Sequence, residues 1–186
     1  MAIPIFAILG FLVLTLILGY NSLVGKRNQT DNAFSAIDAM LKKRFDLIPN
    51  LVATVKNYTQ YEQTTLNQIV ELRSKALNGG LNPNETVDLD NQMSQAIRQL
   101  VVVSESYPEL KASENYNQLQ RALNETEEQL AAARRNYNAS VTAYNDAVQM
   151  FPTNFITVFF KFPTRPLLTT PESEKQNIDI NNLFKA

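Results

Sequence analysis

Ala2–Gly19 reads AIPIFAILGFLVLTLILG, and Thr15 carries its only polar side chain. At about 1.5 Å per helical residue the run covers about 27 Å, close to the hydrocarbon thickness of a bilayer. Pro4 falls in the first turn, where a missing N–H costs little. A small soluble domain rarely buries so uniformly apolar a helix, so the run predicts a transmembrane span. The residues assigned to the span are Ala2, Ile3, Ile5, Phe6, Leu9, Phe11, Leu12, Leu14, Leu16, Leu18 and Gly19. No basic stretch precedes the run and no small-x-small site follows it, so it is expected to be retained rather than cleaved. Lys26 and Arg27 follow the span directly, with Lys42, Lys43 and Arg44 beyond. That asymmetry predicts a single-pass protein with residues 21–186 in the cytoplasm. Thr15 and Gly19 form a small-xxx-small pair that would let helices approach closely.

The chain has 186 residues and contains no Cys, no His and no Trp. Without Cys there is no disulfide framework, thiolate metal site or lipobox. Without His there is no Ser–His–Asp triad and no two-His di-iron site. Five Gly and eight Pro leave little room for the turns of an all-β fold. Residues 26–78 carry 8 Lys/Arg against 5 Asp/Glu, residues 79–130 carry 3 against 9, and residues 131–186 carry 6 against 4. So weak an asymmetry argues against a nucleic-acid partner, which needs a dense basic face. It does suit attraction between neighbouring subunits.

Residues 28–78 hold one long heptad-like stripe, Phe34, Leu41, Ile48 and Val55 with Ile37, Leu51 and Tyr58, broken at Glu62 and resuming at Ile69. The register continues unchanged across Pro49, which predicts a kinked continuous helix of roughly 75 Å. Asn78–Asn84 is the clearest loop. A helix from Asn84 or Glu85 to about Ser106, an extended Tyr107–Ala112 stretch and a last long helix capped by Ser113 follow. In that last helix Tyr116, Leu123, Leu130, Tyr137, Tyr144 and Phe151 recur every seven residues beside the mostly small row Leu119, Thr126, Ala133, Ser140 and Ala147. This seam is expected chiefly as an intramolecular core, with pairing between chains as the other option. By length the helices stack up-down-up, so that the last one climbs away from the membrane. A break at Pro49 would give four helices instead.

The expected fold class is therefore all-α. It comprises a transmembrane anchor over 1–25, an antiparallel long-helix bundle over 26–151 of three helices or four, and a Phe/Pro-rich segment with a polar tail over 152–186. Residues 151–166, FPTNFITVFFKFPTRP, hold half of the ten Phe, and their prolines forbid a long helix. The segment, with Phe155, Phe159 and Phe160, is expected to cap the bundle end or to offer an apolar patch. In the tail, Ile178, Ile180, Leu183 and Phe184 are spaced like a short docking motif.

Tyr20–Glu62 contains N-x-L-V at Asn21–Val24, Arg27-Asn28, the basic block Leu41–Arg44, D-L-I-P-N-L-V at Asp46–Val52 and V-K-x-Y at Val55–Tyr58. With YPELKA at Tyr107–Ala112 and ARRNYNASVTAYNDAVQMFP at Ala133–Pro152, these residues resemble the LemA family of bacterial membrane-anchored proteins. The sequence departs from the family pattern at Phe34, where Trp is common, and at Tyr61, where His is common. The resemblance implies a membrane anchor and a helical cytoplasmic domain, and it implies no enzyme activity or cofactor. It also implies envelope functions and, in magnetotactic bacteria, magnetosome membranes.

Lys42, Lys43, Arg44 and Asp46 are expected on a solvated face, with Asp38–Lys42 and Lys42–Asp46 as i,i+4 pairs. Lys42, Arg44, Asp46 and Asn50 are the candidate interaction residues of the first helix, and Lys26 and Arg27 suit anionic lipid. Tyr137-Asn138 and Tyr144-Asn145 repeat at seven residues, predicting a polar ladder whose Tyr hydroxyls find partners such as Asn50 or Glu62. Asn-x-Ser/Thr occurs at Asn28, Asn57, Asn84, Asn124 and Asn138, mostly within expected helices, so no glycosylation is read. Three functions are weighed: a self-assembling homo-oligomeric scaffold on the lipid bilayer, an adaptor presenting its C-terminal segment to an envelope protease or transporter, and a carboxylate hydrolase. Only the charges of Glu62, Glu105 and Glu109 support the last, and no metal or cofactor is expected.

Overall fold

The computed structural model describes residues 2–59, 62–78, 80 and 82–168, with side chains from Phe6 onward. Ala2, Ile3 and Ile5 of the expected span lie in helix, but their side chains fall outside the described set, as do Tyr61 and the tail from residue 169. Six helices occur among the described residues: α1 (Ala2–Lys56), α2 (Gln63–Leu77), α3 (Pro83–Ser104), α4 (Pro108–Ala112), α5 (Glu114–Gln149) and α6 (Thr153–Phe160). The all-α class and the apolar N-terminal helix leading into a bundle match the sequence expectation.

At 55 residues α1 is about 80 Å long, running from the apolar span into the bundle without a break. Its apolar window is long enough to cross a membrane, with only 6% of that window buried. Phe6, Leu9, Phe11, Leu12, Leu14, Leu16 and Leu18 are all exposed, unlike the side chains of a core helix. Pro49 stays inside α1 as expected. It cannot donate to the carbonyl of Phe45, four residues back. The Nε of Arg73, on α2, donates to that carbonyl at 3.0 Å and satisfies it.

One expectation fails here. The helix does not run on to residue 78; it ends at Lys56, where Tyr58 and Thr59 both bond back to the Val55 carbonyl. Between Tyr58 and Leu66 the sequence offers no aliphatic residue to extend the stripe. A reversal there lets Leu66, Ile69 and Leu72 of α2 enter the core instead. The four-helix option is therefore the one realised, with the break between the end of α1 at Lys56 and the start of α2 at Gln63 rather than at Pro49. The extra reversal inverts every later helix. α2 descends along α1, α3 ascends, and α5 descends antiparallel to α1, pairing Lys43 with Gln129, Phe34 with Tyr137 and Thr30 with Ser140. The last long helix thus returns to the span instead of climbing away from it.

Smaller corrections follow the same local chemistry. α3 opens at Pro83 rather than at Asn84 or Glu85, capped by Asn82: its side chain accepts from the Asn84 and Glu85 amides, and the Glu85 carboxylate accepts from its N–H. Tyr107–Ala112 is not extended, because Pro108 starts the five-residue helix α4. Ser113 is the N-cap residue of α5 as expected, although its side chain makes no capping bond. The main core gathers Ile37, Leu41, Ile48 and Leu51 of α1 with Leu66, Ile69, Met93, Leu100, Leu123 and Leu130. The regular seam of α5 is buried against α1 within one chain: Tyr116, Leu123, Thr126, Leu130, Tyr137, Ser140 and Tyr144 are all buried.

Candidate functional site

Two polar constructions stand out, one inside the bundle and one at its span end. In the first, Arg44 of α1, Asp90 of α3 and Arg134 of α5 meet in the core, at 3%, 0% and 8% exposure. Arg44 Nη1 donates to Asp90 Oδ1 and Arg134 Nη2 donates to Asp90 Oδ2, both at 2.5 Å, while Glu127 Oε2 lies 2.7 Å from Arg44 Nη1. Burial holds the Asp90 carboxyl above its ordinary range, an effect the two guanidinium groups offset only in part. Two arginines against two carboxylates make the cluster neutral, and the three buried charges pin three helices at one point.

Each of these charges stands on an apolar stripe. Arg44 continues the row of Ile37 and Leu51, Arg134 lies between Leu130 and Tyr137, and Asp90 lies between Val87 and Met93. A charge at a core position of a heptad needs a buried partner, and three such charges on three helices was the signal that sequence reasoning missed. The expectation that Arg44 is solvated is corrected accordingly. Its neighbours do face water: Lys42, Asp46 and Asn50 are exposed. The Asp38–Lys42 and Lys42–Asp46 pairs do not occur among the described residues. Lys43 instead reaches Glu125 at 3.7 Å and the Gln129 side chain at 3.2 Å. Asn50 borders an open groove of mixed character with Ala53, Asn115, Gln118 and Leu119 rather than meeting a tyrosine.

At the span end, α5 turns through Pro152 into α6, and the chain then runs back along α5 as an extended strap, Phe162–Leu168. Asn145 and Asn138 hold the strap by paired amide bonds. Asn145 Nδ2 donates to the Arg165 carbonyl at 2.8 Å, and the Arg165 N–H donates back to Oδ1 at 2.9 Å. Asn138 does the same with Leu168, at 3.1 and 2.9 Å. Seven helical residues rise about 10.5 Å and three extended residues about 10 Å, so successive rungs stay in register. The Tyr144 hydroxyl donates to the Pro163 carbonyl at 3.0 Å, so its partner is the strap rather than Asn50 or Glu62. Burial raises the phenol pKa of both Tyr137 and Tyr144. Arg165 pairs with Asp31 of α1 at 2.5 Å, which raises its pKa further, and lies over the Tyr144 ring. The repeat of Tyr-Asn was legible as a ladder, but what it holds was not.

At the start of the strap, Phe162 packs with Leu23, Tyr144, Val148 and Ile156 in a small second core, and the Arg27 guanidinium lies 5.7 Å from its ring centroid. Gly19 is where α6 meets α1: a Cβ there would come 2.6 Å from Ile156 Cδ1. The small residue thus serves contact within the chain. Tyr20 stacks edge-on against Phe160 and Phe162 at 5.1 and 5.8 Å. Leu16, Ile17 and Tyr20 form with Phe155, Ile156, Phe159 and Phe160 an apolar groove of about 560 Å³. The Phe-rich segment is therefore beside the span, not at the far end of the bundle. Phe155, Phe159 and Phe160 remain 60%, 81% and 61% exposed.

Glu62, Glu105 and Glu109 stand at three separate helix ends: the N-cap of α2, the C-cap of α3 and the first turn of α4. No group of three or more metal-type ligands occurs among the described residues.

The chain is similar to Protein LemA of Metamycoplasma hominis, 29% identical over 163 residues, covering 88% of this chain and 74% of the relative. It is also similar to Magnetosome protein MamQ 2 of Paramagnetospirillum magneticum, at 25% identity over 92% of this chain and 74% of that protein. Magnetosome protein MamQ of Magnetospirillum gryphiswaldense is 21% identical over 87% of this chain and 68% of its own length. The LemA family model matches residues 33–181, from the bundle part of α1 past the strap, and the chain belongs to the LemA family.

Proposed function

We propose that the protein is a non-enzymatic, membrane-anchored helical scaffold that self-assembles at the bacterial cell membrane, with its bundle in the cytoplasm. The observation that carries this is the unbroken α1, in which one helix is both bilayer anchor and bundle wall. No linker decouples the two, so the bundle is held at a set height above the bilayer. Lys26 and Arg27 just past the span favour a cytoplasmic bundle by the positive-inside bias. Opposite net charges on residues 26–78 and 79–130 favour contact between copies. The test is the size of the detergent-purified chain at micromolar concentration. Elution as a high-order oligomer is expected, and a detergent-bound monomer would remove the proposal.

The strap favours a second reading, that of an adaptor. Asn145 and Asn138 lead the chain up α5 as far as Leu168, so the residues that follow start beside the bundle wall, away from the span. Deleting residues 169–186 then abolishes recovery of an envelope protein partner and leaves oligomer size unchanged. Undiminished recovery after the deletion would count against it.

A further inference from the structure

α6 is built inside out. Its polar residues Thr153, Asn154 and Thr157 are half-buried, and the Thr153 and Thr157 hydroxyls bond to nearby carbonyls. Its exposed residues are Phe155, Val158, Phe159 and Phe160, every one apolar, and Phe151 before it is 78% exposed. Water is a poor solvent for such a face. The position of α6 identifies a better one. Thr153 and Ile156 approach Gly19, Phe160 stacks on Tyr20, and the groove residues reach only from Leu16 to Tyr20. Thr153, Ile156 and Phe160 are spread over about 10 Å of α6, yet they approach α1 at the adjacent residues Gly19 and Tyr20, so α6 crosses α1 rather than following it. Those contacts lie at the last turn of the apolar run, where the span would leave the hydrocarbon. The apolar surface of α6 is thus continuous with that of the span, through Leu16 and Ile17. Cations sit at its edge: Lys161 is exposed in a left-handed conformation at the C-cap, and Arg27, two turns past Tyr20 on α1, lies against the Phe162 ring.

We propose that α6 lies in the plane of the bilayer surface as a second membrane contact, with Phe151, Phe155, Val158 and Phe159 in the acyl-chain boundary and Lys161 and Arg27 among anionic headgroups. A short helix with an apolar outer face, flanked by cations, is the form that rests at this interface. Two contacts fix what one cannot: a single span leaves the rod free to tilt and rotate, whereas a transverse helix at its foot sets both. The proposal rests on α1 being the anchor and is independent of self-assembly.

The test uses the full-length chain, whose lack of Trp makes any introduced Trp the sole indole emitter. Phe159→Trp, Leu9→Trp and Val102→Trp variants are reconstituted separately into phosphatidylcholine–phosphatidylglycerol vesicles. Some of the lipid is brominated either near the glycerol or at the chain ends. In the Phe159→Trp variant, emission is expected to be blue-shifted and quenched most by the shallow bromines. The Leu9→Trp variant should be quenched most by the deep ones, and Val102→Trp, on exposed α3, by neither. Quenching at position 9 without quenching at 159 overturns the proposal and leaves the anchor standing. Blue-shifted but unquenched emission at 159 also overturns it, because a protein surface then covers α6. Absence of quenching at both 9 and 159 overturns the anchor and the proposal together. A Val158→Trp variant repeats the measurement one residue away and guards against local misfolding at 159.

Discussion

The distal and span ends of this molecule are finished to different degrees. At the distal end four helices close on one another, and three buried charges are paired among themselves. At the span end only α1 and α5 continue, joined by a strap and a short helix whose large side chains face outward. The first region is complete as a soluble bundle. The second leaves an apolar face uncovered, which the proposal above places in the bilayer surface.

Asp90→Ala should break the comparison most severely. It leaves Arg44 and Arg134 buried without their shared carboxylate, at a cost of about 3–5 kcal/mol. Chemical denaturation followed by helical circular dichroism in detergent measures it. A loss below about 1 kcal/mol would show that the cluster is solvated and the distal core less closed than described. Replacing all three residues by apolar side chains of similar volume should restore most of the stability.

Arg73→Ala tests a smaller debt of the same region. It exposes the Phe45 carbonyl that Pro49 leaves free, and a charge-assisted bond of this kind is worth about 1.5–3 kcal/mol. The contrast with a Pro49→Ala, Arg73→Ala double variant sharpens it. The helix then satisfies its own carbonyl, and part of the loss should be recovered.

At the span end, Asn138→Ala with Asn145→Ala removes four strap bonds, each worth about 1 kcal/mol at most where water competes. Global unfolding should move little, while hydrogen exchange at the Arg165 and Leu168 amides accelerates to the rate of unprotected chain. Equal loss of protection in α2 and α3 would mean that the two ends are not separable. Least of all should Lys43→Ala matter. Its pair with Glu125 is solvent-exposed, and the change should stay below about 1 kcal/mol in the same denaturation assay.

What the residues disclosed, and what they withheld, follows the same division. The apolar N-terminal helix, the break between α2 and α3 and the heptads of α5 are local patterns, and they were legible. The sequence between α1 and α2 carries neither Gly nor Pro; that α2 turns back is set by what it can bury, which a single stripe does not show. Missing that turn inverted α5 and sent the Phe-rich segment to the wrong end. The seven-residue Asn repeat was visible, but its meaning needed a partner strand of matching rise. Arg44, Asp90 and Arg134 each interrupted an apolar row, and only their convergence in space shows why.

The central claim is a rigid, anchored post that assembles with copies of itself, and imaging of the purified chain in lipid nanodiscs tests it most directly. The account predicts symmetric particles of several chains, each with one density rod passing from the disc into its bundle. Isolated single bundles, or bundles with no rod entering the lipid, would contradict it.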